Sequence, residues 1–579
     1  MWFFKLEKRN YLTGIFLLII VSLINLIPPY IVGLFVDEIK VGTLTILKVI
    51  QYVGILILVG IFLYTFRYIW RLKIFGSAVK LSYTLRNRLY QHFTQLSPQF
   101  YHKRRIGDLM AHSTNDIQAI EGTAGEGVLT LVDSIAMGTL VILTMAITIS
   151  WKLTLITLIP LPFMVWLTHY YGNLIHDRFF LAQDAFSRLN EKVQENIAGV
   201  RVIKAFGQEK EEIEEFKVQS ADTVEKNIAV ARVDALFDPT IQFIVGISFF
   251  LAISFGSYFV FQERLTIGQL TSFTLYLGHL IWPMLAFGWL FNIVERGRAS
   301  YDRVVALLAV QPEINDKPNA KQIKPSGEIN FNIHQFFYPE TEIPTLKQLH
   351  FKLKQGETLG IVGKTGSGKT TLIRLLLREF DITDGDITIG NESIYNYKLT
   401  SLRSAIGYVP QDHFLFSASI AENIAFAKPN ATVDEVEAAA KTAAIHKDIL
   451  RFEKQYETIV GERGVTLSGG QKQRISIARA LLMDSEILIL DDALSAVDAK
   501  TEERIQKALK ENRKDKTTII SSHRLSAIQH ADLIIVLEDG NIIESGTHKS
   551  LMKDDGWYKT MYQRQQLESQ IEEGGEENE

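Results

Sequence analysis

The chain has no cysteine among its 579 residues. Disulfide frameworks, thiolate metal sites and a cysteine nucleophile are excluded at once. Nor does either charge dominate: 61 Lys and Arg stand against 65 Asp and Glu, a formal −4, so bulk attraction to nucleic acid is not indicated. No tandem repeat is visible. A cleaved leader is not expected either, because the apolar run behind Lys5, Lys8 and Arg9 is too long and no small-residue cleavage site follows it. Trp2, Phe3 and Phe4 beside those cations suit a headgroup-level helix feeding a retained span. What the chain has is hydrophobicity, unevenly spread. Mean hydropathy is +0.09, because residues 1–300 hold long apolar runs while 310–579 read as a charged α/β domain. At roughly 150 residues per domain, two to four folding units are expected.

A bilayer core takes about 20 mostly apolar residues per helix. Six stretches qualify, near residues 11–36, 47–69, 128–150, 153–171, 240–261 and 270–294. The third and fourth are separated only by Trp151 and Lys152, which predicts an antiparallel hairpin. Lys and Arg crowd the two long connections: Arg67 to Arg105 between spans two and three, and Arg178 to Lys226 between spans four and five. Both connections, and both termini, are therefore placed in the cytoplasm. Their apolar spacing (Leu81, Leu85, Leu89, Phe93, Leu96) predicts helices that continue the spans beyond the membrane. Pro312, Pro318 and Pro325 mark a linker over 311–327 between a membrane domain at 1–310 and a soluble domain at 328–565. Residues 566–579 read as an acidic tail, disordered over Ile571–Glu579. Asp133 sits inside the third span, where a carboxylate is costly; transport and helix–helix hydrogen bonding are both open roles. Phe243, Phe249, Phe250, Phe287, Trp289 and Phe291 either line a cavity or face lipid and neighbours, and they define no substrate site.

In the second half, Gly363, Lys364, Thr365, Gly366, Ser367, Gly368, Lys369 and Thr370 match GxxxxGK[ST]. The run follows an apolar strand candidate, Thr358–Val362, and opens a helix candidate at Thr371. The glycines let backbone amides close around phosphate oxygens, and the helix presents its positive N-terminal dipole. Lys369 is expected at the β- and γ-phosphates and Thr370 on Mg²⁺. A second strand candidate, Ile487–Leu490, ends in Asp491, placed to hold Mg²⁺, and Asp492. Between them, Leu467, Ser468, Gly469, Gly470 and Gln471 form another glycine-bearing turn at a helix start, a second anion site. Two such turns about 100 residues apart are explained by two copies set head to tail, each completing the other's site.

With these residues the chain resembles the ATP-binding-cassette exporters over nearly its whole length. Added to the phosphate loop, LSGGQ and the strand ending in Asp491 are Gln411 in Tyr-Val-Pro-Gln-Asp, the run Ser495-Ala-Val-Asp498 and His523. The resemblance implies a fold: an all-α membrane domain of six helices with long cytoplasmic extensions, fused to an α/β P-loop NTPase domain. It implies ATP and Mg²⁺ as ligands, with Thr370, Gln411 and Asp491 at the metal and Thr371 beside the phosphate loop. Tyr338 would stack on adenine, His523 would contact the γ-phosphate, and 467–471 would contact nucleotide held by a second subunit. Glu462–Gly464 and the segments near 107–116 and 205–213 resemble the coupling elements. The implied activity is ATP-driven export of hydrophobic or amphipathic small molecules across the plasma membrane, with the lipid bilayer as surroundings. A lipid flippase or siderophore importer of this architecture, or an ATP-gated channel or regulatory subunit that does not pump, remains an alternative. A soluble cassette protein of DNA repair is excluded by the spans.

One residue departs from the family pattern. The position after Asp491 is usually the glutamate that activates the attacking water, and here it is Asp492. A carboxylate one methylene shorter sits about 1–1.5 Å back, a misplacement that can cost about 10²-fold in rate. With LSGGQ intact, the combination resembles the non-catalytic half of heterodimeric exporters, and a related half-transporter carrying the glutamate is the expected partner.

Overall fold

The computed structural model describes residues 2–339, 341–461 and 466–576. The side chains of 102, 287, 288 and 569–576 lie outside that description, as do Glu462–Gly464. Two compact units are present, one ending at Gln311 and one running from Pro312, to which Ser97–Gln99 also belong.

The first unit is helical throughout. Trp2–Leu6 lies ahead of Lys8–Ile24 and Ile27–Val41, which are parted at Asn25–Leu26 because Pro28 and Pro29 supply no amide to bridge them. Very long helices follow: Ile46–Gln95 with 50 residues and Glu209–Phe261 with 53. At 1.5 Å per residue these reach about 75–80 Å, against about 30 Å of hydrocarbon core, so most of each stands outside the bilayer. Among the described residues, five helical runs are long and apolar enough to cross a membrane: Lys8–Val41, Ile46–Gln95, Ile106–Leu158, Glu209–Phe261 and Ile267–Leu308. The stretch at 153–171 is covered by Trp151–Leu158 and Pro160–Ala198, joined through Ile159, whose backbone is itself helical (φ −54°, ψ −42°) although Pro160 and Pro162 remove donors there. Ahead of it Ser150 leaves helical geometry at φ −162°, and its hydroxyl caps the next helix through Leu153 N.

Three local devices fix this unit. Glu7 pairs with Lys80, and Arg88 lies 4.3 Å over the Trp2 ring, so the amino-terminal helix is held on the extension of Ile46–Gln95. Asp37 accepts from Gly268 N at 2.7 Å and from Thr266 Oγ1 at 2.5 Å, capping the helix Ile267–Leu308. A Cβ at Gly268 would lie 2.0 Å from the Gly33 carbonyl, so only glycine permits that crossing. Lastly, buried Asp116 is gripped by Arg303, by Ser300 Oγ at 2.9 Å and by His112 Nδ1 at 2.6 Å.

The second unit contains two sheets. The smaller has the order β2-β1-β4-β5 and is antiparallel, from β1 (Ile329–Phe336), β2 (Leu346–Leu353), β4 (Asp384–Ile389) and β5 (Glu392–Ser393). The larger has the order β10-β9-β3-β8-β7-β6. Its strands are β3 (Thr358–Gly363), β6 (Ile406–Val409), β7 (Ile487–Asp491), β8 (Thr517–Ser521), β9 (Leu533–Glu538) and β10 (Asn541–Gly546), and only β10 runs antiparallel. Its central strands are near-continuous apolar runs because both faces are covered. Ile487 and Ile489 face a core shared with the small sheet and the helix Lys369–Leu376. Leu488 and Leu490 face the helices between Ile420 and Leu482. Residues 311–327 hold no helix, yet they are fastened to this unit: Arg378 donates to the Asn315 carbonyl at 2.9 Å and Leu399 N to Asp316 at 2.8 Å. The stretch read as a disordered tail is, as far as Glu576, the continuation of a helix begun at Trp557 and anchored by buried Tyr558.

Burial raises the Asp116 carboxyl, but its hydrogen bonds with Arg303, His112 and Ser300 outweigh that and hold it at about 2. Its unfolded value is about 3.9, so the stability it adds is complete above about pH 5 and lost as pH falls towards 2. Asp116→Asn should cost about 2 kcal/mol near neutrality. In thermal melts of the detergent-purified protein, the gap between variant and parent should narrow between pH 5 and 3.

Candidate functional site: the phosphate loop and the ends of three strands

Three parallel strands end at one level. Ile361 of β3 pairs with Ser521 of β8, and Ser521 pairs with Asp491 of β7. Each strand then opens into a loop at the carboxyl edge of the sheet, where open α/β folds form their binding crevice. From β3 comes the phosphate loop, from β7 Asp492, and from β8 His523.

The loop turns at Gly363 (φ 148°) and Gly368 (φ 104°). A Cβ at Gly363 would sit 2.1 Å from the Leu537 carbonyl, so no side chain fits there. Gly368 delivers the chain into the helix Lys369–Leu376, whose free amides and dipole favour anions. Lys369 is buried and folds back, donating to the carbonyls of Gly363 at 2.8 Å and Lys364 at 3.0 Å. Burial lowers its pKa, against the opposing pull of Asp491 and Asp492. Thr370 Oγ1 donates to Asp491 Oδ1 at 3.4 Å. Asp491 is 2% exposed, and burial raises its pKa while hydrogen bonds from Ser521 and Thr370 lower it.

At the phosphate loop, Ser367 Oγ and Asp491 Oδ2 are buried without a partner among the described residues. Buried polar groups are nearly always satisfied, so an unpaired carboxylate oxygen beside a threonine hydroxyl and an anion-binding helix start calls for a cation and a phosphate. Among the described residues no cluster of three His, Cys, Asp or Glu could hold a metal. Thr370, Asp491 and phosphate oxygens are the donor set that fits Mg²⁺, a cation that keeps waters and few protein ligands.

The structure gathers Lys369, Thr370, Asp491 and Asp492 into one site, and joins Tyr338 to it. The Tyr338 hydroxyl lies 2.9 Å from Thr371 Oγ1, and its ring packs edge-on against Phe336 and Phe380, at 5.1 and 5.0 Å. Gln411 is placed differently: it follows β6 in a loop, with its side chain exposed and no hydrogen bond among the described residues. His523 is also exposed, and its carbonyl accepts from Gln565 Nε2 at 2.8 Å. In the other glycine turn, Leu467 is buried while Ser468 and Gly469 are exposed at the start of the helix Gly469–Leu482. Ser468 and Gln471 form a reciprocal capping box there, at 3.0 and 3.3 Å.

Three residues passed over in the sequence belong here. Ser521 stands opposite Asp491 in the paired strands, Gln565 ties the loop after β8, and His413 has a buried Nδ1 with no partner among the described residues. Burial lowers the His413 pKa, against Asp412 and Asp492. Ser521 and Gln565 act across gaps in sequence, so no local spacing announces them. In the membrane unit, Asp133 is half-buried and makes no hydrogen bond among the described residues. Phe249 packs into a core cluster, whereas Phe243, Phe250, Trp289 and Phe291 are exposed on the single chain.

Replacing the Lys369 ammonium should weaken nucleotide binding at this site by about tenfold or more, the usual scale of a charge-assisted contact. Titration of Lys369→Ala with a fluorescent ATP analogue checks this.

Known proteins resemble the chain over nearly its whole length. A family model for the ABC transporter transmembrane region matches residues 11–284, and one for the ABC transporter matches 346–495. The multidrug resistance-like ATP-binding protein MdlA of Escherichia coli (strain K12) is 48% identical over 578 residues, covering 100% of this chain and 98% of that protein. The probable multidrug resistance ABC transporter ATP-binding/permease protein YheI of Bacillus subtilis (strain 168) is 47% identical over 574 residues, covering 99% and 98%. A solved bacterial Atm1-family ABC exporter with ATP bound superposes with a TM-score of 0.80 at 27% identity, covering 96% of this chain and 98% of the other. Phosphate loop, buried magnesium-ready aspartate, membrane-length helices and these matches lead to one assignment: the chain belongs to the ABC exporters, in which a helical transmembrane domain is fused to an ATP-hydrolysing nucleotide-binding domain.

Proposed function

We propose that this exporter is one half of a heterodimer that moves hydrophobic or amphipathic small molecules, drugs among them, out across the plasma membrane. Its relatives' names support the substrate class. The lysine- and arginine-rich connections support placing the nucleotide-binding domain and both termini in the cytoplasm. Mg²⁺, held by Thr370 and Asp491 with Gln411 closing in, would neutralise charge on the phosphates. ATP bound between two cassettes shifts the membrane domains because its affinity is higher for the closed pair.

The observation that carries the heterodimer is Asp492. Its backbone sits at φ 49°, with its N–H on the Ser521 carbonyl at 2.8 Å. That pinned main chain leaves the carboxylate little freedom to make up the missing methylene. This chain's own site therefore holds ATP and turns it over slowly. Its turn at Leu467, Ser468, Gly469, Gly470 and Gln471 completes the site in which the partner half-transporter supplies the glutamate.

Purified alone in lipid nanodiscs, the chain should hydrolyse ATP about 10²-fold more slowly than the complex with its partner, and Asp492→Glu should recover much of that difference. In the complex, Asp492→Asn should lower turnover only slightly. Vigorous hydrolysis by the chain alone, unchanged by Asp492→Glu, would instead make it a competent homodimer.

A further inference from the structure

The turn at 467–471 and the backbone at Asp492 serve opposite sites of a paired transporter, yet within one chain they are tied by a single side chain. Gln473 lies on the helix Gly469–Leu482, five residues beyond the capping Ser468, and is 0% exposed. Its Nε2 donates to the Asp492 carbonyl at 3.3 Å, and its Oε1 accepts from Ala496 N at 3.0 Å. The Asp492 carbonyl also receives Ser495 Oγ at 3.0 Å. The helix start itself leans on the same segment, because a Cβ at Gly470 would come within 2.8 Å of the Ala496 carbonyl.

These partners define the residue type. A backbone carbonyl only accepts and a backbone N–H only donates, so the bridging group must do both from one planar end. Glutamine does this. Glutamate loses the donor, leucine loses both groups, and lysine or arginine brings no acceptor. We infer that Gln473 is a positioning residue that makes the turn at 467–471 and the segment Asp492–Ala496 move as one body, so that docking of the turn on one nucleotide sets the carboxylate at the other. The inference rests on the ATP-hydrolysing cassette and is independent of which half-transporter completes the pair.

The test is steady-state ATPase of the full transporter in nanodiscs, for the parent, Gln473→Glu and Gln473→Leu, beside ATP-analogue binding and thermal melting. Freed from that segment, the turn at 467–471 shifts in the competent site it completes and loses transition-state geometry there, not ground-state binding; Asp492, in the slow site, contributes little to turnover. Both variants should therefore lose about tenfold in kcat, with half-saturating ATP within about twofold of the parent and melting within a few degrees. The steepness of the rate against ATP concentration should fall as well, since the two sites no longer report to each other. If Gln473→Leu does not fold, Gln473→Glu, of nearly the same volume, decides alone. A kcat within twofold of the parent overturns the inference. So does a loss that tracks melting temperature across the variants, or failure of both to fold, since each would make Gln473 a packing residue only.

Discussion

The site depends on one constraint, a carboxylate held in the dry end of a parallel sheet. Asp491 is nearly inaccessible and keeps one oxygen without a partner. Such a group is expensive to bury unless something supplies compensating charge. The surroundings are built to supply it in a form that can come and go. Thr370 and Ser521 take part of the load, and the amide-rich start of the helix Lys369–Leu376 stands ready for a phosphate. Lys369, folded onto the loop carbonyls, is a cation parked where an anion will sit. The register that puts Ile361, Ser521 and Asp491 at one level brings three distant stretches of chain to the same few ångströms.

Below that edge the sheet is a partition between two cores. Alternate residues of β7 serve opposite sides, Ile487 and Ile489 towards the phosphate-loop helix, Leu488 and Leu490 towards the helix that begins at the LSGGQ turn. A rigid, fully paired strand between two packed layers transmits displacement instead of absorbing it. That is the physical ground for expecting Asp492, at the end of β7, to respond to what happens on either face. In the membrane unit, the same logic appears in the Asp37 cap and the Asp116 cluster, where a single carboxylate joins helices remote in sequence.

Much of this was legible in the sequence, and the reason differs by feature. The phosphate loop and the aspartate after Ile487–Leu490 are local patterns whose spacing is itself the chemistry. Apolar runs and the Leu81–Leu96 spacing announced membrane-length helices with long extensions, because composition and period are also local. Whatever depends on pairing was not legible. Gln565 reaches His523 across 42 residues, and Tyr338 reaches Thr371 across 33. Over Ile571–Glu576 the charge suggested disorder, whereas buried Tyr558 upstream starts a helix that glutamate-rich residues readily continue.

The central claim is that two unlike sites operate in one transporter, one slow because Asp492 is a methylene short. Single-turnover hydrolysis in the purified complex addresses it directly. Load both sites with radiolabelled ATP, remove the excess, and follow nucleotide release and phosphate formation together. The account predicts two phases of equal amplitude, with half the bound ATP hydrolysed promptly and half retained about 10²-fold longer. A single phase that consumes all the bound ATP at one rate would contradict it.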